Sequence, residues 1–278
     1  MSAGANRQTA RWLEFVYGGR PDLGDHAEAY HESSKLTPSQ VGRQMEGARR
    51  LESSPDLLLS SLRAVKRHGG AMIRLPEPTS LDQPLGEVIV RRRSQRAFDR
   101  KSIGLDVLAA LLYAGYGVTG KVEPQGDQPA LSLRAVPSGG ALYPLELYAG
   151  VLRVGSLEPG LYHFDPTSSG LEAVRVGLNA EDLALLSTFP GITSSCAVLI
   201  LVAAIFGRTR FKYGLRGYRF ALLEAGHLAQ NILLAASALG LASVPLGAFY
   251  DRCTDSFLGL DGVNESTLYT IAVGSAPT

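Results

Sequence analysis

Three stretches of this chain combine residue types that do chemistry. The first is Arg91-Arg92-Arg93-Ser94-Gln95-Arg96-Ala97-Phe98. Arginine forks match phosphate oxygens in pairs, and a serine hydroxyl adds a donor. Arg92, Arg93, Ser94 and Arg96 are therefore candidate phosphate ligands, and a solvated basic edge is the competing account of the same run. The second is Arg134-Ala135-Val136-Pro137-Ser138-Gly139-Gly140-Ala141-Leu142-Tyr143-Pro144. Adjacent glycines let backbone approach a flat ring closely, and Pro137, Ser138, Gly139 and Gly140 could line one edge of it. A tight turn leading into a strand explains those residues equally well. The third runs from Arg210 to Phe220 and contains Lys212-Tyr213, an amine beside a phenol. It continues into a helix on which Glu224, His227 and Asn231 are spaced i, i+3, i+7, with Gln230 beside them. In an otherwise apolar helix such polar groups need partners. They are expected to support loops or a dimer partner rather than to react.

The elements that must hold these stretches can be read from periodicity. A short helix is expected at 84–93, leading into the basic run. A second, at 105–117, places Leu105, Leu108, Leu111, Leu112 and Tyr116 on one side. Residues 118–129, rich in Gly, Pro, Gln and Asp, read as a mobile loop. A strand at 145–154 follows, then a hairpin from 160–166 and 171–176. Residues 180–186 read as a short helix and 197–205 as a central strand. A long helix spans 217–239 and stops at Gly240. Strands close the chain at 243–249 and 268–273. Residues 1–83 read as a helical N-terminal extension, with an apolar-aromatic segment at 11–17, a helix at 55–65 and a proline-rich linker at 74–84. Residues 84–278 form the main body. Strands and helices thus alternate without a regular βαβ rhythm, which indicates an α+β fold.

The bulk properties exclude several classes. A chain of 278 residues with 45% hydrophobic residues buries a substantial core. A net charge of +1 gives no general drive toward nucleic acid or acidic membranes. The longest apolar run, 196–206, is about half a bilayer span and reads as a buried strand. Cys196 and Cys253 stand alone, without zinc spacing, which suits a reducing cytoplasm. No Gly-x-Gly-x-x-Gly follows a first strand, and no Walker sequence occurs.

Taken together the motifs resemble the nitroreductase superfamily, and within it the thiazole/oxazole-forming, SagB-type azoline dehydrogenases. Arg92 to Phe98 (Arg-Arg-Ser-x-Arg-x-Phe) is similar to the superfamily's FMN phosphate motif. Pro137 to Pro144 is similar to its flavin-contacting loop. Gly160-Leu161-Tyr162-His163-Phe164-Asp165-Pro166 and Lys212-Tyr213, followed by Glu-x-Gly-His-x-x-Gln-Asn, are similar to signatures of the branch. Pro245-Leu246-Gly247-Ala248-Phe249 departs from it, with Ala248 where many members carry a second glycine. The N-terminal appendage is also shorter than in members that carry a full peptide-recognition module.

The resemblance implies a central, mostly antiparallel sheet flanked by helices, with FMN as cofactor and a homodimer. It implies FMN contacts at Arg92, Arg93, Ser94, Arg96, Pro137, Ser138, Gly139, Gly140, Leu246 and Gly247. It also implies an azoline-containing peptide as substrate, a possible complex with a cyclodehydratase, and Lys212 with Tyr213 as the catalytic pair. Lysine is a useful base where burial and nearby cations favour its neutral form. Arg210, Arg216 and Arg219 are close to it in sequence. An NAD(P)H-dependent nitro- or quinone reductase on the same fold remains open, as does a dehydrogenase of carrier-bound or cyclic peptides. A non-enzymatic flavoprotein-like scaffold is the third alternative.

Overall fold

The structure, a computed structural model, describes residues 26–36, 65–122 and 131–277, together with 38, 46, 47, 49, 53 and 54. The apolar-aromatic segment at 11–17, the 55–65 helix apart from Val65, and the later part of the expected 118–129 loop lie outside the described residues. The chain divides into two compact units, Met1–Met45 and Glu46–Thr278. In the first unit, α1 (His26–Ser33) is followed by Ser34, whose hydroxyl donates to the Tyr30 carbonyl at 2.5 Å.

The second unit carries the site. In chain order its elements are β1 (Met72–Arg74), α2 (Leu85–Arg91), α3 (Leu105–Tyr116), β2 (Val118–Val122), β3 (Leu131–Arg134), β4 (Leu145–Val151), β5 (Gly160–Asp165) and β6 (Gly170–Val176). Then come α4 (Ala180–Ala184), α5 (Pro190–Ser195), β7 (Val198–Ile205), α6 (Gly207–Tyr213), α7 (Leu215–Ala238), β8 (Leu241–Leu246), α8 (Asp251–Leu258) and β9 (Glu265–Ser275). Seven strands form one sheet in the order β1-β6-β5-β4-β7-β9-β8, with every neighbouring pair antiparallel. β2 and β3 pair separately.

The sequence of β7 shows why the sheet lies in the middle. Val198, Ile200, Val202 and Ala204 join a core that includes Leu108, Leu111 and Leu112 of α3 and Leu228 and Ile232 of α7. The alternate residues Leu199, Leu201 and Ala203 join a second core with Leu183, Leu186 and Leu258. A strand covered on both faces reads as an unbroken apolar run, because neither face needs polar residues. The expected α+β architecture is the one observed.

Several elements differ from the periodicity reading. Residues 118–122, expected as loop, form β2 because β3 supplies an antiparallel partner; a five-residue Val-Thr-Gly-Lys-Val segment has too little alternation to announce this alone. Met72–Arg74 pairs with β6 at the sheet edge. α6 is separate from α7, and Gly214 divides them at φ 55°, ψ −137°, a conformation closed to residues bearing a Cβ. The two helices then touch closely. A Cβ at Gly217 would lie 2.7 and 2.8 Å from the carbonyl carbon and oxygen of Thr209.

Gly217→Ala is therefore expected to push α6 away from α7 and to destabilise the fold by about 1–3 kcal/mol, the usual range for overpacking. Urea denaturation of the variant beside the unaltered protein measures this.

Candidate active site

The Pro137–Tyr143 turn is the centre of the site. Gly140, Ala141 and Tyr143 have φ values of 68°, 53° and 44°, so three residues of one short turn lie in the left-handed region. Left-handed backbone at non-glycine residues persists where surrounding contacts over-determine it. Here the Tyr143 amide donates to Ser138 Oγ at 2.9 Å. The Tyr143 hydroxyl accepts from the Arg134 amide at 2.9 Å. The Arg134 guanidinium lies 4.4 Å from the Tyr116 ring centre and 4.6 Å from that of Tyr143, a double cation–π contact.

This turn meets the end of α6. A Cβ at Gly140 would lie 2.7 Å from Tyr213 Oη and 3.0 Å from Lys212 Nζ. A Cβ at Gly139 would lie 3.0 Å from the Phe220 ring. The structure thus brings Gly139, Gly140, Lys212 and Tyr213 together, so closely that a side chain at either glycine would collide with its neighbours. Tyr213 packs edge-on against Phe220 at 5.0 Å, and Lys212 Nζ lies 5.4 Å from the Tyr213 ring centre. Lys212 and Tyr213 are half-buried, whereas Arg210 is exposed.

The basic run lies on another part of the fold. The Gln95 amide donates to the Ser243 carbonyl of β8 at 2.9 Å, and Phe98 packs over Gly274 of β9. Arg93 folds back on the carbonyls of Val90 and Arg92. Among the described residues, the side chains of Arg92, Ser94 and Arg96 make no hydrogen bond or ion pair, while the Arg92 amide donates to the Val88 carbonyl at 2.9 Å. Among the same residues, no hydrogen bond or ion pair joins this run to the Lys212–Gly140 group. Leu246 is buried at the end of β8, its carbonyl accepting from Thr270 Oγ1. Gly247 faces open space. The Ala248 carbonyl takes bonds from the Thr188 amide and from the hydroxyls of Ser187 and Thr188. The guanidinium groups of Arg92 and Arg96 with the Ser94 hydroxyl are donors of the kind a phosphate takes, and the Gly139–Gly140 turn presents bare backbone beside an amine and a phenol, as a flat ring system requires.

Glu224, Tyr116 and Arg134 were not among the site residues indicated by the motifs, yet they support the turn. Glu224 is 2% exposed. Its Oε1 accepts from Tyr116 Oη at 2.7 Å, and Tyr116 Oη in turn accepts from the Leu145 amide at 3.1 Å. Burial pushes the Glu224 carboxyl up to about 7, against the opposing pull of Ser138, Tyr116 and Arg134. Burial and the Glu224 charge also raise the Tyr116 phenol. Asn231 Nδ2 donates to the carbonyls of Ala114 and Ala135. The expected supporting stripe on α7 is thus realised at Glu224 and Asn231, while His227 and Gln230 are exposed. Helical spacing was the signal for Glu224; nothing local pointed to its partner Tyr116 on α3.

Residues 89–275 match the model of the nitroreductase family, and the chain belongs to that family. Several relatives narrow the comparison. The chain is 35% identical over 180 residues to a nitroreductase-like protein of Methanocaldococcus jannaschii, covering 65% of this chain and 85% of that one. It is 32% identical over 140 residues to the microcin B17-processing protein McbC of Escherichia coli, covering 48% of this chain. It is 30% identical over 177 residues to the trifolitoxin-processing protein TfxB of Rhizobium leguminosarum, covering 62% of this chain. It spans 51% and 47% of the lengths of those two processing proteins.

Among solved structures, a nitroreductase-like protein from Anabaena variabilis superposes with a TM-score of 0.63 at 28% identity, over 75% of this chain and 42% of that one. A chain of the E. coli microcin synthetase complex, solved with a truncated pro-peptide bound, shares the fold. Its TM-score is 0.57 at 23% identity, over 91% of this chain and 92% of that one. The protein is thus a nitroreductase-superfamily oxidoreductase. Among the described residues, no helix is long and apolar enough to cross a membrane.

The raised carboxyl of Glu224 gives a signed prediction. Its folded value of about 7 stands above the ordinary 4.5, so between those pH values the native state holds a proton that the unfolded chain releases. Its stabilising contribution is complete below about 4.5 and is lost as pH rises through about 7. Glu224→Gln is expected to gain stability relative to the unaltered protein by roughly 3 kcal/mol between pH 4.5 and pH 8. Denaturant unfolding at a series of pH values tests this, and parallel curves for the two proteins would contradict it.

Proposed function

We propose that this chain is an FMN-dependent dehydrogenase of the SagB type, which oxidises thiazoline or oxazoline rings in a peptide to thiazoles or oxazoles. The observation that carries the reading is the convergence of Lys212 Nζ and Tyr213 Oη on the Gly140 backbone. An azoline becomes an azole by losing a proton from one ring carbon and a hydride from its neighbour. FMN, when bound, supplies the hydride acceptor and delivers the two electrons to dioxygen, so NAD(P)H is not consumed.

The chain's own residues supply the rest. Lys212 removes the proton, and Tyr213, beside it, shares that role or holds the ring by hydrogen bond. Gly139 and Gly140 let backbone approach both groups with no side chain of its own between. Arg92, Arg93, Ser94 and Arg96 would hold the cofactor phosphate, and Pro137, Ser138, Leu246 and Gly247 would border its ring system. Likeness to two peptide-processing proteins supports a peptide substrate. Ring oxidation presupposes a reaction that forms the ring, so a cyclodehydratase is the natural partner. Leu222 and Leu223 on α7 and Ile89 and Val90 on α2 are exposed, which supports a second copy of the chain covering them. The 35% identity to the Methanocaldococcus relative favours a second reading, an NAD(P)H-dependent reductase.

The purified protein is expected to be yellow and to remove two hydrogens per ring from an azoline peptide in air without NAD(P)H, followed by mass. Lys212→Ala is expected to lower turnover by about 10²–10⁴-fold with FMN content unchanged, the range for losing a general base. A protein inert to azolines and bleached by NADPH alone would establish the reductase. Arg92→Ala and Arg96→Ala are each expected to weaken FMN binding by about 10–100-fold, the loss of a charged hydrogen bond, as read by flavin fluorescence titration.

A further inference from the structure

We propose that Arg208 is the positioning residue of this site, tying α6 to the Gly139–Gly140 turn, and that a buried Glu146–His163 pair aims it. The inference rests on the reading of Lys212 and Tyr213 as the reacting pair.

Arg208 lies one helical turn before Lys212 on α6 and is 9% exposed. Its Nη1 donates to the carbonyl of Tyr143, the left-handed residue that ends the turn, at 3.3 Å. Its Nη2 pairs with Glu146 Oε1 on β4 at 2.5 Å. One planar guanidinium thus links the helix bearing the amine, the turn facing it and the central sheet. A lysine, with a single ammonium on a flexible stem, cannot reproduce that fork.

Glu146 is itself fixed. His163 Nε2, on β5, lies 2.6 Å from Glu146 Oε2, and the Lys66 amide donates to Oε1 at 3.2 Å. Beyond His163 stands Glu172 on β6, whose Oε1 accepts from the amides of His68 and Gly70. Glu146, His163 and Glu172 are 4%, 0% and 2% exposed. Buried ionisable groups cost stability unless their bonding is complete, and such a row stands where an apolar one would pack without that demand. What it delivers is direction: Glu146, itself held by His163 and the Lys66 amide, fixes the Arg208 fork from β4. Residues 66–70, which lie ahead of the family-matched 89–275, close the row from above.

The test uses the purified full chain with its bound flavin, and the variants Arg208→Lys, Glu146→Gln and His163→Gln. Acetic anhydride labelling of each lysine, followed by peptide mass, reads the surroundings of Lys212 independently of turnover. All three variants are expected to change the labelling rate of Lys212 about threefold or more and to leave that of exposed Lys101 unaltered, since a relaxed α6 re-exposes the amine. With azoline peptide, kcat is expected to fall about 10–100-fold while KM stays within about twofold, the pattern of a misplaced group rather than a lost substrate contact.

His163→Gln touches neither α6 nor the turn, so it carries the test if Arg208→Lys does not fold. Folded variants with unaltered Lys212 labelling overturn the proposal. An unaltered protein inert to azolines overturns the proposed reaction, while the labelling comparison still decides whether Arg208 places Lys212.

Discussion

The approach of the Gly139–Gly140 backbone to Lys212, Tyr213 and Phe220 sets what the surrounding elements must do. A methyl group on Gly140 would fall within 2.7 Å of a phenol oxygen and 3.0 Å of an amine nitrogen. Glycine is needed there twice over, for the space and for the positive φ. Such proximity between segments 72 residues apart in the chain cannot come from local structure. It is imposed by β4, which follows the turn, and β7, which precedes α6. These two neighbours are paired from Leu145↔Ala204 to Val151↔Val198. The register places the start of one strand beside the end of the other, so the turn and the helix emerge from the same edge.

That geometry also explains the polar content of the sheet. Most of β4 and β7 is apolar, because both faces are covered. Against the polar residues of the sheet lies a segment outside helix and strand, residues 65–70, whose amides need acceptors. Glu146 and Glu172 supply them. Tyr148, His163 and Glu172 face one another across three strands by register, and the Tyr148 hydroxyl meets His68 Nε2 at 3.2 Å. The buried charge and the 65–70 segment are thus two sides of one arrangement.

The sequence made the long or strongly periodic elements legible. α3, α7, the β5–β6 hairpin and β7 lie where periodicity puts them, to within a few residues. Each is long enough, or apolar enough, for its pattern to exceed noise. β1, α5 and α6 have three, six and seven residues and owe their existence to what they pack against. The same division holds at the site. Short motifs marked Gly139, Gly140, Lys212 and Tyr213 as segments of interest, and the structure shows the two segments in contact. Arg208, two residues before the marked run, gave no signal, because its meaning lies in Glu146 and Tyr143, 62 and 65 positions away. Glu224 was visible as part of a stripe, but a helical stripe does not say which of its members is buried. Of Glu224 and His227, one turn apart, the first lies under the Ser138 turn and the second faces outward.

Two buried glutamates show how neighbours rather than burial decide charge. Glu146 and Glu224 are 4% and 2% exposed, so both bear a large desolvation penalty that favours the neutral acid. At Glu146 that penalty is outweighed by the bonds from His163 and Arg208, and the carboxyl falls to about 2. At Glu224 the available partners are two hydroxyls and a guanidinium spread over aromatic faces, and the carboxyl rises to about 7. Glu146 therefore keeps its charge throughout the ordinary pH range, as an anchor for a cation must. Glu224 changes charge within that range, directly beneath a turn whose backbone is left-handed at three residues. Glu224 gaining or losing its charge there alters the field at Ser138, so pH acts on the turn through Glu224, while Glu146 faces the Arg208 guanidinium as an anion on both sides of that change.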